Sequence, residues 1–349
     1  MSVSSREARI LGIIETARAK RPRFKDSAIT MAHGAGGKAT QTLIEGLLAP
    51  AFGMTELDDA AAAGDVLVTT DSFVVKPLRF PGGSIGELAV NGTVNDLAVA
   101  GARPLAITVA LILEEGLDAG VLRAEVEAIA TAAREAGVEV VAGDTKVVER
   151  GHADGMYITT TGVGAPDPRS HPGALRPGDR ILLSGSIGEH GTAIMLARGE
   201  FDLEAEVESD TRSLWPTADA LLDAAGPALR TMRDATRGGV ASVLNELARA
   251  HGVAMVVHER NVPVDPVVAG AAEILGIDPM YVANEGKLVA FVAPEQADAA
   301  LAAMRAIDPR AAAIGEVRTE PPGMVLVETS FGGRRVMDQL VGDPLPRIC

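Results

Sequence analysis

Short apolar runs with β-strand character alternate with helical patterns along most of this sequence. In the first block, strand-like runs stand at Val66–Thr70, Leu105–Leu113 and Val138–Ala142. Between them, apolar positions recur with helical spacing over residues 85–100 and 122–136. Strands and helices mixed in this order bury their apolar faces by packing in layers. The alternation therefore predicts an α/β (α+β layered) fold.

A second block follows residues 165–173, a segment with the Pro- and Gly-rich composition of a linker. It begins with a strand at Arg180–Leu183, and its last apolar region, 314–328, predicts paired strands. At about 150 residues per domain, 349 residues suffice for two domains. We therefore expect an N-terminal helical extension, two domains and an extended C-terminal tail, with boundaries at 1–28, 29–165, 174–332 and 333–349.

The chain is acidic, since 32 Lys and Arg against 47 Asp and Glu give a net charge of −15. This charge opposes binding to a polyanion, and aromatic residues, at 3%, are too few for a base-stacking surface. The best apolar run, Leu105–Leu113, is too short to span a membrane, and the first residues lack the apolar region of a signal peptide. These features predict a cytoplasmic protein without a nucleic-acid or membrane partner.

The segment His33-Gly-Ala-Gly-Gly-Lys38 is the first that favours a bound ligand. Glycines allow backbone N–H groups to approach phosphate oxygens, and the lysine adds a positive charge. The segment is not a Walker A loop, because neither the spacing nor the Ser or Thr after the lysine is present. A plain glycine-rich turn explains these residues equally well, so both interpretations stay open at this point.

Several aspartates stand near the ends of predicted strands or the starts of predicted helices. Nucleotide sites often hold Mg²⁺ through scattered single carboxylates together with phosphate oxygens. Each aspartate taken alone is better explained as a helix cap or turn residue. Their repeated placement beside Gly, Asn or Thr favours a nucleotide site, and the candidates are Asp58, Asp59, Asp71, Asp96, Asp144 and Asp234.

Three further residues are candidates for chemistry. Glu285 stands in a loop before a predicted strand, where it would be a base or simply a solvated or ion-paired group. Lys146, two residues after Asp144, carries the same ambiguity. Cys349 is the single cysteine and the last residue of the sequence. An extended tail gives its thiol the reach that an acceptor group needs, and an incidental exposed cysteine is the alternative.

Taken together, these motifs resemble the hydrogenase maturation factors of the HypE family. The resemblance runs from about residue 29 to the end and is most specific at the Pro-Arg-Ile-Cys349 terminus. The other motifs that carry it are His33-Gly-Ala-Gly-Gly-Lys38, Thr70-Asp-Ser-Phe73, Phe80-Pro-Gly-Gly83, Asn91-Gly-Thr-Val-Asn-Asp96, Ile112-Leu-Glu-Glu-Gly116, Gly143-Asp-Thr-Lys-Val147, Arg233-Asp-Ala-Thr-Arg-Gly-Gly239 and Asn284-Glu-Gly-Lys287.

The resemblance implies membership of the ATP-binding superfamily that includes aminoimidazole ribonucleotide synthetase, selenophosphate synthetase and thiamine-monophosphate kinase. This superfamily implies two α/β domains of the aminoimidazole ribonucleotide synthetase type, and a homodimer whose N-terminal sheets close a barrel across the two chains. It also implies ATP and Mg²⁺ as cofactors. By resemblance, the metal carboxylates are Asp59, Asp71, Asp96 and Asp234, and the residues around the phosphates are Lys38, Asn95, Gly143, Asp144 and Thr145.

The implied activity is ATP-dependent dehydration of a carbamoyl group on Cys349 to a thiocyanate, which supplies cyanide ligands for the iron of NiFe hydrogenases. Glu285 would be the base, Lys146 would orient or neutralise the carbamoyl oxygen or phosphate, and the flexible tail would enter and leave the ATP cleft. The implied partners are the carbamoyltransferase HypF and the iron-carrying HypC–HypD complex. The alternatives are a related kinase or synthetase acting on a diffusible substrate, and a non-catalytic carrier of a group on Cys349.

Overall fold

The structure is a computed structural model that describes residues 23–54, 57–199, 205–340 and 347–349. The predicted N-terminal helical extension, 1–28, lies outside the described residues apart from 23–28, which form no helix. The predicted boundary near residue 165 falls at the end of a long strand, with a five-stranded sheet before it and a seven-stranded sheet after it.

The described residues of the first unit form four α-helices and seven strands. After a 3₁₀ turn at Met31–Gly34, and with a π-helical segment at Ile44–Leu48 between its first two helices, its elements follow in chain order: α1 (Lys38–Leu43), α2 (Ala49–Phe52), β1 (Ala61–Ala63), β2 (Val66–Phe73), β3 (Arg79–Phe80), β4 (Gly83–Ser84), α3 (Ile85–Val99), β5 (Ala102–Glu114), α4 (Ala119–Ala136), β6 (Glu139–Val148) and β7 (Met156–Pro166).

Five of these strands form one sheet in the order β1-β2-β7-β5-β6, with β5 and β6 parallel and the other pairs antiparallel. The parallel pair is joined by α4, which begins at the Asp118 cap and ends at Gly137 in the left-handed conformation. Helix α3 is buried on nearly all sides, because the sheet covers one face and the second unit covers the other. A helix enclosed in this way needs no amphipathic pattern.

The second unit packs helices against a seven-stranded sheet. Its elements are β8 (Arg180–Leu183), α5 (Glu189–Ala197), α6 (Trp215–Ala225), β9 (Leu229–Asp234), α7 (Gly239–His251), β10 (Ala254–His258), α8 (Pro266–Leu275), β11 (Leu288–Val292), α9 (Ala297–Ile307), β12 (Ala312–Arg318), β13 (Val325–Glu328) and β14 (Arg334–Met337), with 3₁₀ turns at Gly226–Ala228, Glu259–Asn261 and Pro279–Tyr281.

The order of this sheet, β14-β13-β10-β12-β8-β11-β9, corrects two expectations. Strands β12 and β13, in the region predicted as paired strands, do not pair with each other, because β10 lies between them. Strand β14 pairs with β13, so the ordered second unit continues past the predicted boundary at residue 332. Among the described residues, no helix combines the length and the apolar character that crossing a membrane requires.

The last three residues are docked in the protein, although the sequence predicts a flexible tail. Ile348 and Cys349 are 5% and 7% exposed and belong to the apolar core of the first unit. A terminal carboxylate oxygen of Cys349 accepts a hydrogen bond from the Val74 N–H (3.2 Å), and the Arg347 carbonyl accepts one from the Lys76 N–H (3.3 Å). Backbone pairing of this kind offsets the entropy of ordering a terminal segment.

Candidate functional site

Three carboxylates from separate parts of the chain meet where the two units touch. One side-chain oxygen each from Asp59, Asp96 and Asp234 lies within 4.8 Å of the other two. Asp59 precedes β1, Asp96 lies on α3 and Asp234 ends β9. They converge because α3 packs against both β2 and β9. The structure thus brings together three of the four predicted metal carboxylates.

Asp71, the fourth predicted carboxylate, lies on β2 beside this cluster. Its carboxyl group interacts with that of Asp96, and the Thr69 hydroxyl donates to the Asp96 carboxylate at 2.6 Å. Residues 69 and 71 are two apart on one strand, so their side chains point to the same face of the sheet. Strand β2 therefore presents Thr69 and Asp71 side by side to Asp96.

Burial raises the pKa values of all four carboxyl groups, and repulsion between neighbouring carboxylates adds to the rise for Asp59, Asp96 and Asp234. For Asp96, burial is the largest cause, followed by the charges of Asp234, Asp71 and Asp59. Burial, together with the charge of Asp71, raises the pKa of Asp234 to about 7. Carboxylates buried together are costly unless a positive charge lies among them. The cluster is therefore electrostatically incomplete as it stands.

One positive side chain offsets part of this repulsion. The Arg233 guanidinium forms ion pairs with Asp58 and with Asp59, the latter at 3.2 Å. The second oxygen of Asp59, Oδ2, is buried and has no hydrogen-bond partner among the described residues. An unpartnered carboxylate oxygen beside two others is a donor set that suits a hard divalent cation such as Mg²⁺. The residues present therefore fit the implied metal.

Each residue of the motif Asn284-Glu-Gly-Lys287 makes different contacts. Asn284 fixes the backbone, because its amide donates to the Ala235 carbonyl and accepts from the Gly188 N–H. A Cβ at Gly286 would lie 1.9 Å from the Asp210 carbonyl oxygen, so only glycine fits there. Lys287 forms a buried ion pair with Asp210 at 3.1 Å. The remaining residue, Glu285, is left to face the site.

Glu285 is 3% exposed, and its Oε1 has no hydrogen-bond partner among the described residues. Its backbone N–H donates to the Asp210 carboxylate at 3.1 Å, which fixes the peptide that carries it. Burial, followed by the charges of Asp234 and Asp210, raises the pKa of Glu285 well above its ordinary value. A raised pKa makes the carboxylate a stronger proton acceptor when it is ionised.

Cys349 lies among Arg237, Glu285 and Asp71. The Arg237 guanidinium interacts electrostatically with Cys349 and donates to the Gly34 carbonyl at 2.9 Å, so it joins the tail to the glycine-rich loop. Burial raises the pKa of the Cys349 thiol to about 12 against the opposing charge of Arg237. The docked thiol is therefore protonated at neutral pH and is a poor nucleophile in this position.

The glycine-rich segment packs against Arg237. Gly36 has φ +74°, and a Cβ there would lie 2.8 Å from the Arg237 carbonyl oxygen and Cβ. The close approach requires glycine, which is a structural reason for the motif beside the predicted ligand role. Lys38 begins α1 and pairs with Asp338 at 2.7 Å, with both side chains 43% exposed. The contact of Lys38 with the ATP phosphates stays a prediction.

Asn95 is buried and bridges the two units through backbone groups. Its amide donates to the carbonyls of Arg212 (3.0 Å) and Glu285 (3.1 Å) and accepts from the Leu214 N–H (2.7 Å). Both amide hydrogens are therefore engaged within the protein. This arrangement gives Asn95 a bridging role that the resemblance does not include, while its predicted contact with phosphates stays a prediction.

The structure separates four of the predicted residues from the carboxylate cluster. Gly143, Asp144, Thr145 and Lys146 lie on β6, and the Lys146 ammonium pairs with Asp144 at 2.6 Å. That partner lowers the pKa of the Asp144 carboxyl. Strand β6 lies three strand positions from β2, which is about 14 Å at normal strand spacing. A single chain thus keeps Lys146 away from Cys349.

Two family models match the chain. The model described as AIR synthase related protein, N-terminal domain, matches residues 57–165, and the corresponding C-terminal domain model matches residues 176–327. The carbamoyl dehydratase HypE of Rhodobacter capsulatus is 48% identical over 340 residues, which cover 93% of this chain and 99% of the relative. The chain belongs to the HypE family of carbamoyl dehydratases.

Solved structures of the HypE family have the same fold. In a crystal structure of a HypE–HypF complex, the matching chain has a TM-score of 0.82 and 43% identity, covering 85% of this chain and 99% of that one. A HypE structure in complex with ATP gives a TM-score of 0.78 and 42% identity, with 92% of this chain and all of that one covered. HypE proteins are enzymes of hydrogenase maturation, so the family and the enzyme class predicted from the sequence motifs are confirmed.

Several residues around this HypE site are absent from the predicted set. Arg237 lies in the motif Arg233-Asp-Ala-Thr-Arg-Gly-Gly239, which predicts a role for Asp234 and none for Arg237. Asp210, which holds the Glu285 peptide, comes from a coil segment without a recognisable pattern. His190 lies on α5, where a lone histidine on an apolar helix gives no sign of function. Only their positions in the fold identify them.

Proposed function

We propose that this chain dehydrates an S-carbamoyl group on Cys349 to a thiocyanate at the expense of ATP. The name of its HypE relatives, carbamoyl dehydratase, supports the dehydration of a carbamoyl group. The carbamoyl oxygen leaves as phosphate, the C–S bond is kept, and both protons leave the nitrogen, so that ATP yields ADP and inorganic phosphate. The thiocyanate would supply cyanide for the iron of NiFe hydrogenases. The phosphorylated oxygen is a far better leaving group than hydroxide.

The observation that carries this proposal is the burial of Cys349 beside Glu285 and the carboxylate cluster. The Cys349 thiol and the Glu285 carboxylate interact electrostatically, and Glu285 offers an unpartnered oxygen. A carbamoyl group on the sulfur would extend from this position into the site. A base for its N–H protons must lie within hydrogen-bond reach, and Glu285 combines a raised pKa with an unpartnered oxygen near the sulfur.

In this proposal, Asp59, Asp71, Asp96 and Asp234 hold Mg²⁺, which screens the negative charge on the ATP phosphates. ATP binding rests on the HypE structure solved with that nucleotide. Lys38, Asn95 and the Gly143–Thr145 segment are the proposed phosphate residues. Arg237 adds a cation that stabilises negative charge developing on the carbamoyl oxygen.

The position of β6 supports a homodimer. Residues 139–147 are all exposed, including Val140, Val141 and Val147 at 47%, 59% and 67%. Among the described residues, strand β6 pairs with β5 on one edge only, and an open groove of about 540 Å³ lies between β6, β5 and α4. An apolar strand edge of this kind is a template for pairing with another chain. We propose that the two N-terminal sheets close a barrel, which carries Lys146 to the partner's site.

The proposed partners follow from the reaction. The tail must receive its carbamoyl group from a carbamoyltransferase, and a HypE–HypF complex is known among the relatives. The cyanide must then pass to iron, for which the HypC–HypD complex is the proposed acceptor. Both steps require Cys349 to leave its buried position, because a macromolecular partner needs access to the sulfur.

Mass spectrometry of the C-terminal peptide tests the reaction directly. The chain is carbamoylated by its transferase and then given ATP, and the modified peptide should become lighter by the mass of one water. Cys349→Ala is the matched control: it should bind ATP and take no carbamoyl group. A carbamoyl adduct that persists through ATP hydrolysis would favour a carrier, and phosphorylation of an added small molecule would favour a kinase.

A further inference from the structure

Residues on one face of helix α5 bind the docked tail. His190, Ile194 and Arg198 follow one another at intervals of four residues, so their side chains lie on one side of the helix. His190 Nε2 donates to the Ile348 carbonyl at 2.7 Å, and Arg198 Nη2 donates to the Arg347 carbonyl at 2.5 Å. Both hydrogen bonds are made to backbone carbonyls of the tail.

The hydrogen bonds of His190 define one tautomer. The Ile348 carbonyl accepts only, so Nε2 carries the proton, and Nδ1 accepts from the Ser209 hydroxyl at 2.8 Å. Burial lowers the pKa of His190, which keeps the ring neutral. The ring is thus held from both sides and presents its single N–H to the tail.

The side chains of the tail are held as well. Ile348 packs in the same apolar core as Ile194. Arg347 forms an ion pair with Asp154, and it is the one non-glycine residue with positive φ (60°) in the part of the chain that the structure describes. A left-handed backbone at arginine persists only where specific contacts hold it. The segment therefore occupies a binding site made for it.

The same contacts connect the tail to the proposed base. Ser209, which holds His190, is followed by Asp210, whose carboxylate accepts the Glu285 and Gly286 N–H groups at 3.1 and 3.2 Å. The Ser209 N–H in turn donates to the Pro81 carbonyl at 2.8 Å, which anchors this segment on the first unit. The segment Ser209–Asp210 thus positions both the histidine that binds the tail and the peptide that carries Glu285.

We propose that His190 and Arg198 are positioning residues that hold Arg347–Cys349 in the site through the tail carbonyls, and we call these two contacts the latch. Ser209 and Asp210 fix the position of the latch relative to Glu285. The family resemblance implies that the tail enters and leaves the site, and the new element is the set of residues that hold it there and shield Cys349 from outside reagents. The role of the latch in dehydration rests on the proposed function, whereas the existence of the latch does not.

Cys349 is the single cysteine of the sequence, so alkylation of the full chain reports release of the tail without any label. The probe is iodoacetamide under pseudo-first-order conditions, compared with a free peptide ending in Pro-Arg-Ile-Cys. The wild-type chain should react more slowly than the peptide. His190→Leu removes the N–H donor and should raise the alkylation rate about tenfold, the shift that 1.4 kcal/mol produces.

Two variants sharpen the result. His190→Gln retains an N–H donor and should recover much of the protection, which a general loss of packing would not allow. Arg198→Met acts from a half-buried position at the end of α5, so it tests the latch even where His190→Leu fails to fold. Arg123→Met, on the exposed face of α4, is the control and should react like the wild type.

Wild-type alkylation rates in both His190→Leu and Arg198→Met would refute the latch. In the carbamoylated chain, His190→Leu should slow thiocyanate formation in a single turnover while the ATP dissociation constant stays unchanged. Slow turnover accompanied by loss of ATP affinity would also count against a positioning role. Absence of thiocyanate from the wild type would overturn the proposed function alone, because the alkylation result does not depend on the reaction.

Discussion

Asp234→Asn should stabilise the metal-free protein and weaken its response to Mg²⁺. The folded chain raises the pKa of Asp234 from 3.8 to about 7, through burial and the neighbouring charge of Asp71. The contribution of this group to stability is complete below pH 3.8 and is lost as the pH rises through about 7. A shift of about 3 units at 1.36 kcal/mol each corresponds to about 4 kcal/mol at pH 8, as an upper bound.

Asparagine keeps the size of the side chain and carries no charge at any pH. In EDTA at pH 8, the variant should therefore have the higher free energy of unfolding, and its advantage should fall to less than half at pH 5. Adding Mg²⁺ with ATP should reverse the order, because the wild type keeps the carboxylate that holds the cation. Urea unfolding followed by the fluorescence of Trp215, the single tryptophan, measures both effects.

Asp65→Asn is the matched control, since Asp65 is exposed in the turn between β1 and β2. Its unfolding free energy should equal that of the wild type at both pH values, with and without Mg²⁺. The reasoning fails if Asp234→Asn is less stable than the wild type in EDTA at pH 8. It fails equally if Mg²⁺-ATP stabilises both proteins to the same extent, because Asp234 would then hold no cation.

Three further outcomes are expected. Glu285→Gln should keep ATP binding and carbamoylation while slowing dehydration by about 10²–10⁴-fold, and a near wild-type rate by peptide mass spectrometry would remove Glu285 from the mechanism. Burial raises the pKa of the Cys349 thiol to about 12; the charge of Arg237 opposes this rise, and the charges of Glu285 and Asp71 add to it. Docking of the protonated tail should therefore be complete below about pH 8.5 and should weaken as the pH rises toward 12. The pH profile of alkylation checks this, and a profile equal to that of the free peptide would contradict it. Mixing inactive Lys146→Met and Glu285→Gln chains should restore about a quarter of the wild-type sites in reassorted dimers, whereas no recovery after exchange would exclude a shared site.

The elements of this fold were predictable where a pattern repeats. Strands β2, β5 and β7 have the apolar content of sheet strands, and the boundaries of α4 are marked by Asp118 and Gly137. Strand β14 was missed because Arg334-Arg-Val-Met337 is too short and too charged to resemble a strand. Its pairing with β13 decides its conformation, which is a tertiary cause that local sequence does not contain.

The candidate site shows the same limit. Asp59, Asp71, Asp96 and Asp234 carry motif signals, and the fold brings them together. The resemblance implies that the tail enters the ATP cleft, but the contacts that dock it were not predictable, because Arg347–Cys349 is too short to have a preference of its own and depends on partners far away in the sequence, such as Val74 and His190. His190 and Asp210 acquire their tasks only from those distant contacts.

The separation of Lys146 from Cys349 would prevent a single chain from starting the reaction on a carbamoyl group. One chain alone shields the thiol, raises its pKa and pairs it with a base, yet keeps the cation of β6 on an exposed edge. If the partner subunit supplies that cation, a lone chain cannot complete the reaction even with its tail latched. The chemistry would then require both the latch and the dimer, so that a carbamoylated tail meets ATP only in the assembled site.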